Sequence, residues 1–236
     1  MRTQAPPAVE ITGLTKAYRG RPALDGLDLS LAPGQIVGLM GDNGSGKTTL
    51  LKILAGLLAD WSGTVRVNGR EPGPETKAQV SFLPDASFLP DAHRPADSVA
   101  LYARFFADFD EAKARRMIDF FGLPWDRTLK EMSKGMREKL QISLAMSRRA
   151  RVYLLDEPIS GVDPASRDVI LRGILSNFEE DALLLISTHL IQDVEQIVDS
   201  VLFLRDGRVL LHGGADDLRA EHGVSLDALF RKVYAA

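Results

Sequence analysis

The feature that most constrains this chain is a run of eight residues, 41–48, which reads Gly-Asp-Asn-Gly-Ser-Gly-Lys-Thr. Residues 36–40 just before it are apolar at consecutive positions, which is typical of a strand buried on both faces of a parallel sheet. Residues 49–54 just after it begin a helix with a wide apolar face. A strand, a glycine-rich turn and a helix in this order form the context that a phosphate-binding P-loop requires.

The chemistry of this P-loop (residues 41–48) follows from its backbone. Glycines let successive N–H groups turn inward as an anion nest, and the following helix directs the positive end of its dipole to the same place. Lys47 adds a cation for the β- and γ-phosphates, and the Thr48 hydroxyl is a ligand for Mg²⁺. The alternative is a chance glycine-rich turn, which the flanking strand and helix disfavour. The sequence therefore predicts binding of a nucleoside triphosphate.

Length and composition exclude several classes of protein. A chain of 236 residues is one large domain, or one domain with a subdomain. The net charge of −3 and the lack of a dense basic run give no reason to expect a nucleic-acid partner. The absence of cysteine excludes disulfides and thiolate metal sites. With no signal peptide and no apolar run near the roughly 18 residues of a membrane span, we expect a cytoplasmic protein, at most peripheral to a membrane.

The apolar pattern separates β-rich parts of the chain from a helical part. Residues 9–31 alternate as half-buried antiparallel strands, and residues 63–69 and 79–83 are predicted to form two further strands. From about residue 98 to 150 the period is helical, and this predicts an all-helical insertion. Its apolar stripe comprises Val99, Tyr102, Phe105, Phe106 and Phe109. Asp110 is predicted to cap a helix that runs to Phe121, and a further helix is predicted to end near Arg149.

Strands are predicted again at residues 151–157 and 182–187. A hairpin is predicted around Asp206-Gly207, and a small capped helix at residues 225–236. The strand at 151–157 ends in Asp156 and Glu157, at the edge of a parallel sheet where ligands collect. Asp156 is placed to bind Mg²⁺, directly or through water, and Glu157 to accept a proton from the attacking water or to orient it. The alternative, that two acids only solvate a strand end, is weakened by the four apolar residues that lead into them.

Three other candidate sites, formed by four residues, are ambiguous when each is taken alone. His189 follows the strand at 182–187 and is either a satisfied structural histidine or a γ-phosphate contact. Ser133 and Gly135 precede a helix, as an anion site or as an ordinary N-cap. Tyr18, on the connection between the first two strands, is either an incidental exposed aromatic or part of a wider pattern.

Taken together, these motifs resemble the nucleotide-binding subunit of ATP-binding cassette (ABC) transporters, from about residue 9 to 211. The resemblance implies an α/β P-loop NTPase with a mainly parallel central sheet, an N-terminal antiparallel β subdomain and an all-helical insertion. It implies one ABC ATPase domain over residues 1–236, with a helical subdomain at about 86–150. The site residues that it implies for ATP are Tyr18 (stacked on adenine), Asn43, Gly44, Ser45, Gly46, Lys47, Thr48 and Thr49. It assigns Mg²⁺ to Thr48, Asp85 and Asp156, hydrolysis to Glu157 and His189, and the D-loop to residues 160–163.

The same resemblance implies partners. In that family two copies dimerise head to tail, so Ser133 and Gly135 of one copy would close on the γ-phosphate held by the other. The second subunit is either another copy of this chain, giving a homodimer, or a different ATPase chain, giving a heterodimer. Because no transmembrane segment is present, the permease must be another chain, docked near Asp85, Phe88 and the pair Phe105 and Phe106. The protein is then expected to be peripheral on the inner face of the cell membrane.

Two departures from the family pattern indicate a branch. Residues 132–136 read Met-Ser-Lys-Gly-Met where Leu-Ser-Gly-Gly-Gln is usual, and Asp85 stands where a glutamine is expected. Both resemble the ABC-2 type exporters, which include drug and antibiotic exporters. We therefore predict an ATP-hydrolysing subunit that drives export. The alternatives are a soluble mechanochemical ATPase acting on nucleic acid or ribosomes, disfavoured by the single cassette, and a non-catalytic regulator, disfavoured by the intact set of hydrolytic residues.

Overall fold

The computed structural model describes residues 6–235, and within that range the chain forms nine strands and nine α-helices. The strands are β1 (Val9–Tyr18), β2 (Arg21–Leu31), β3 (Gln35–Met40), β4 (Ser62–Val67), β5 (Val80–Leu83), β6 (Val152–Asp156), β7 (Leu183–Thr188), β8 (Ser200–Arg205) and β9 (Arg208–Gly214). The helices are α1 (Lys47–Leu54), α2 (Pro74–Lys77), α3 (Pro95–Phe105), α4 (Glu111–Phe120), α5 (Lys134–Met146), α6 (Pro164–Leu175), α7 (Ile191–Val194), α8 (Ala215–His222) and α9 (Leu226–Ala235). A 3₁₀ turn occupies Leu129–Glu131. Residues 1–5 lie outside this range, as does Ala236, the last residue of the helix predicted at 225–236.

The described strands form two sheets. One has the order β2-β1-β4 and is antiparallel. The other has the order β5-β6-β7-β3-β8-β9, in which every neighbouring pair is parallel except the β8–β9 hairpin. The predicted parallel central sheet and the N-terminal antiparallel sheet are thereby confirmed. Because β3 pairs with β7 and β7 with β6, the P-loop, the two acids and His189 all follow strands that end at one edge.

The parallel strands of the central sheet are buried on both faces, which explains their continuous apolar runs. On β3, Val37 and Leu39 pack in a core shared with α1 and the antiparallel sheet. Ile36 and Met40 point to the opposite face and join a second core built with the helices. Successive residues of a strand point to opposite faces, so most positions of such a strand are apolar. The stretch between β5 and β6 contains α3, α4, the 3₁₀ turn and α5, as the helical periodicity predicts.

The predicted aromatic stripe is wrong as a single helical face. Helix α3 ends at Phe105, whose side chain is 70% exposed, and Phe106 is already extended. The aromatic rings of Phe106 and Phe109 instead fold back on Tyr102, with ring centroids 5.1 and 5.5 Å apart. Asp110 does cap α4, its carboxylate accepting a hydrogen bond from the Lys113 amide.

Helix α5 ends at Met146, earlier than the predicted Arg149. The helix ends early because the buried side chain of Arg148, two residues beyond it, binds backbone carbonyls at the start of β5. Its guanidinium donates to Val80 O at 2.7 Å and to Asp108, and lies 4.1 Å above the Phe106 ring. A buried guanidinium needs several acceptors, and a continuing helix would carry it away from them.

In residues 6–235, no helix has both the length and the apolar character that crossing a bilayer demands.

Candidate functional site

The candidate site lies at the carboxyl edge of the central sheet, where three strands end in register. Met40, the last residue of β3, pairs with Thr188 of β7, and Asp156, the last residue of β6, pairs with Ser187 of β7. The residues that follow these positions are the P-loop, Glu157 and His189. The structure therefore brings together the residues that the sequence assigns to phosphate, magnesium and water.

The P-loop itself depends on glycine at its helix junction. Gly46 has φ +109°, and a side chain there would collide with the carbonyl of Ala23 in β2. Gly46 is the N-cap of α1 and supplies no side-chain cap to the first amides of that helix, so those N–H groups are available to an anion. Asn43 and Gly44 are exposed, as is the Thr48 side chain, whereas Thr49 is half-buried.

Lys47 is held by its own loop. Its side chain is buried, and Nζ donates to the carbonyls of Gly41 at 2.7 Å and Asp42 at 3.2 Å. The ammonium is therefore bound by neutral acceptors of the P-loop, and we expect phosphate oxygens to replace these acceptors when a nucleotide binds. An ionised acceptor makes the stronger bond.

Ser187 is a site residue that the sequence reasoning missed. Its hydroxyl donates to Asp156 Oδ1 at 2.7 Å and accepts the Glu157 amide at 3.0 Å. Asp156 is 1% exposed and Ser187 is fully buried, so this hydroxyl fixes both acids from the neighbouring strand. A serine at the end of an otherwise apolar run was the available signal, because a buried hydroxyl needs partners.

Glu157 joins the P-loop to the histidine. Its Oε2 lies 2.9 Å from His189 Nδ1, and its Oε1 lies 3.5 Å from Lys47 Nζ, close enough for an ion pair. Oε1 is buried and accepts no hydrogen bond in the described chain. Glu157 also adopts φ +50°, the left-handed region that a residue with a side chain rarely occupies. Such a strained backbone is found where the position of the side chain matters more than local stability.

The polar groups present fit a magnesium–triphosphate group. Ser45 Oγ in the P-loop is buried without a hydrogen-bond partner in the described chain, and Asp156 Oδ2 is left free by the bond that Ser187 makes to Oδ1. Among residues 6–235, no three acidic, histidine or cysteine side chains are grouped as a metal cage. A magnesium ion held by Asp156, Thr48 and Asp85 would therefore take its remaining ligands from phosphates and water, which is the usual mode for this ion.

Asp85 lies close to Asp156 and Glu157 but comes from a different strand end. It follows β5 and lines a small cavity with Glu138, Asp156 and Glu157. Glu138, on α5, was not identified from the sequence. Burial raises the pKa of the Glu138 carboxyl, while Lys134 works in the opposite sense. The helical part of the chain therefore approaches the strand ends through Asp85 and Glu138.

Tyr18 ends β1, in the hairpin that also carries Ala23. The ring is 46% exposed, and Lys16 Nζ lies 5.4 Å from its centroid. Because the Ala23 carbonyl lies against Gly46, this hairpin is next to the P-loop. An exposed ring at this position is available for stacking, and its role with adenine stays a prediction.

Ser133 and Gly135 mark the exposed start of α5. The Ser133 hydroxyl accepts the Met136 amide at 3.2 Å, so the serine is an N-cap in this chain, and Gly135 has open space around it. Helix α5 packs on α3, α4, α6 and β5, and its N-terminus faces solvent. Lys134 leans over Gly161 of the D-loop and pairs with Glu138 at 3.6 Å, so its charge is directed to its own chain.

Comparisons with known proteins agree with the family resemblance that the motifs indicate. A protein-family model described as ABC transporter matches residues 24–160. The daunorubicin/doxorubicin resistance ATP-binding protein DrrA of Streptomyces peucetius is 32% identical over 94% of this chain and 70% of that protein. The Nod factor export ATP-binding protein I of Paraburkholderia xenovorans is 30% identical over 90% of this chain and 73% of that protein. A solved ATP-binding subunit of an ABC transporter superposes with a TM-score of 0.84 at 29% identity, covering 96% of this chain and 99% of its own.

Proposed function

This chain belongs to the ABC transporter family, and from that premise we propose how its residues divide the work of ATP hydrolysis. As in other ATP-binding subunits of the family, the cassette binds and hydrolyses ATP with Mg²⁺ and powers transport through a separate membrane subunit. The observation that carries the residue assignment is Glu157, which reaches both Lys47 and His189.

We assign phosphate binding to the P-loop amides and Lys47, together with Asn43, Ser45, Thr48 and Thr49. Thr48, Asp156 and Asp85 would hold Mg²⁺, which would shield the charge on the phosphates. Glu157 orients and deprotonates the attacking water once Lys47 has turned to the phosphates, and His189 contacts the γ-phosphate while keeping Glu157 in place. Tyr18 supports the adenine.

The exposed start of α5 supports a second copy as part of the complete site. Ser133 and Gly135 offer an anion site at a helix N-terminus, and both lie at the surface of the helical part. We propose that they contact the γ-phosphate held by the other subunit in a head-to-tail dimer, which is either a homodimer or a heterodimer. ATP then joins the subunits, and hydrolysis separates them.

An apolar groove supports a docking site for the membrane subunit. It has a volume of about 620 Å³ and is lined by residues of α1, β5 and α3 and of the loops that follow α1 and β5, among them Leu57, Phe88 and Phe105. These three side chains are 55%, 45% and 70% exposed, a costly arrangement in water unless a partner covers them. We propose that a cytoplasmic segment of the permease occupies this groove, which would hold the subunit on the inner face of the cell membrane.

The direction of transport and the domain organisation are further parts of the proposal. The relatives named for drug resistance and for Nod factor export support export as the direction. We also propose one ATPase domain over residues 1–236, in which residues 86–150 form a helical subdomain. The continuous core that α3–α5 share with the central sheet supports this assignment.

The test is to replace Glu157 by glutamine, which keeps its size and removes its basicity. MgATP affinity should be retained, kcat should fall by about 10²- to 10⁴-fold, and the variant should accumulate as an ATP-bound dimer in light-scattering chromatography. Glu180→Gln, the same change at an exposed glutamate before β7, should behave like the wild type. Turnover at the wild-type rate in Glu157→Gln would remove Glu157 from this role.

A further inference from the structure

The last described helix, α9, contacts two segments next to the candidate site: α7, which follows His189, and the start of the P-loop. Near its start, Asp227 accepts a hydrogen bond from the Gln192 side chain at 3.0 Å, and the Asp227 amide donates to Glu195 Oε2 at 3.3 Å. Gln192 lies in α7, which begins two residues after His189. The start of α9 is therefore attached to the segment that carries the histidine.

The other end of α9 reaches the entrance of the P-loop. The Tyr234 hydroxyl donates to the carbonyl of Leu204 on β8, the strand next to β3. A side chain at Gly41 would collide with this same carbonyl and come within 3.0 Å of the Tyr234 hydroxyl. Burial raises the pKa of Tyr234, and the Asp42 backbone opposes that shift by hydrogen bonding. The hydroxyl is thus lodged where the P-loop leaves its strand.

The tyrosine is held in place from several sides. Its ring lies 4.0 Å from that of Phe230 between centroids, and Phe230 packs edge-on against Phe203 of β8 at 5.2 Å. Arg205 donates to the Tyr234 carbonyl at 3.2 Å and lies 5.7 Å from the ring. Leu226 and Leu229 of α9 are buried. A ring fixed by this many neighbours can transmit a displacement, since packed elements do not deform freely.

We propose that α9 is a strut that couples the P-loop to the histidine segment, with Tyr234 as the positioning residue at the P-loop end. Asp227 and Tyr234 are seven positions apart, a span of about 10 Å along a helix. Two of the carbonyls at this entrance, those of Gly41 and Asp42, are the ones that hold Lys47. Fixing the entrance therefore fixes the resting place of Lys47 and the start of the anion nest.

The inference rests on the proposed role of the P-loop in ATP binding, and its test begins with Tyr234→Phe, which removes only the hydroxyl. We expect a 2- to 10-fold rise in the Kd for MgATP, the range for one hydrogen bond (roughly 0.5–1.5 kcal/mol). KM should rise by a similar factor with kcat changed less than twofold. The amides of residues 42–47 should exchange hydrogen faster, and the melting temperature should fall by no more than about 6 °C, the most that the loss of one hydrogen bond gives in a chain of this size.

Controls separate this role from a general effect on stability. Lys232→Ala alters an exposed side chain of the same helix and should match the wild type. In the double variant that combines Tyr234→Phe with Asp227→Asn, the rise in Kd relative to the wild type should differ at least twofold from the product of the rises in the two single variants. The reason is that both ends act on one strut. Wild-type affinity and P-loop exchange in Tyr234→Phe would overturn the inference, as would independent effects in the double variant. A wild-type chain that fails to bind MgATP would instead contradict the role of the P-loop.

Discussion

Ser187→Ala tests the idea that one hydroxyl fixes both acids of the site. The variant removes the bond from Ser187 to Asp156 Oδ1 and leaves a buried carboxylate with one donor fewer. The Glu157 amide keeps a backbone partner, the Ser187 carbonyl at 3.2 Å, so the loss is dominated by the bond to the carboxylate. A hydrogen bond to a charged group contributes about 2 kcal/mol, and for a chain of this size the melting temperature should fall by about 4–8 °C. Because Asp156 is then free to shift, kcat should fall at least ~10-fold.

Ser81→Ala is the matched control. Ser81 is 2% exposed, and its hydroxyl donates at 2.8 Å to a neutral acceptor, the carbonyl of Ala145. The loss there should be about 1 kcal/mol, with kcat unchanged. Urea unfolding and steady-state ATPase assays of both variants give the comparison. The reasoning fails if Ser81→Ala costs as much stability as Ser187→Ala, or if Ser187→Ala hydrolyses ATP at the wild-type rate.

Three further predictions concern the P-loop, the helical part and the groove. Gly46→Ala should weaken MgATP binding more than ~100-fold by calorimetry because its side chain meets the Ala23 carbonyl, whereas Gly122→Ala, also at positive φ but in open space, should bind normally. Burial raises the pKa of Glu138, so the stability that its protonated carboxyl provides is present at low pH and is lost as the pH rises through the pKa of the folded protein. Glu138→Gln should therefore raise the melting temperature at pH 8 and change it little near pH 4. An equal change at both pH values would contradict this. Phe105→Glu should abolish co-purification with the membrane subunit without changing the basal ATPase of the isolated chain, while Phe120→Glu, outside the groove but also exposed, should leave the complex intact.

The sequence predicts the parts of the site that depend on local patterns. Residues 41–48 follow a strand and precede a helix, and Asp156 and Glu157 end a buried strand, so their meeting at one edge follows from the parallel order of the strands. The N-cap role of Asp110 is likewise local, and the structure shows its hydrogen bond.

The rest depends on contacts between distant residues. Nothing near Ser187 in the sequence indicates that it binds an aspartate 31 positions away. The end of α5 was misjudged because Arg148 is drawn to carbonyls of β5, about 70 residues earlier in the chain. The aromatic stripe failed for a similar reason, since Phe106 and Phe109 return to Tyr102 after the helix has ended. Helix α9 was predicted, but its reach to the P-loop was not, because the contact is made by side chains.

The left-handed backbone at Glu157 has a consequence for how this protein can change. A residue with a β-carbon loses roughly 1 kcal/mol or more in that conformation, and glycine loses almost nothing. Glu157→Gly should therefore unfold at higher urea concentration than Glu157→Ala, although neither would hydrolyse ATP. The glutamate at this position therefore costs folding stability, and its proposed role in turnover explains why a carboxylate stands where glycine would be less strained.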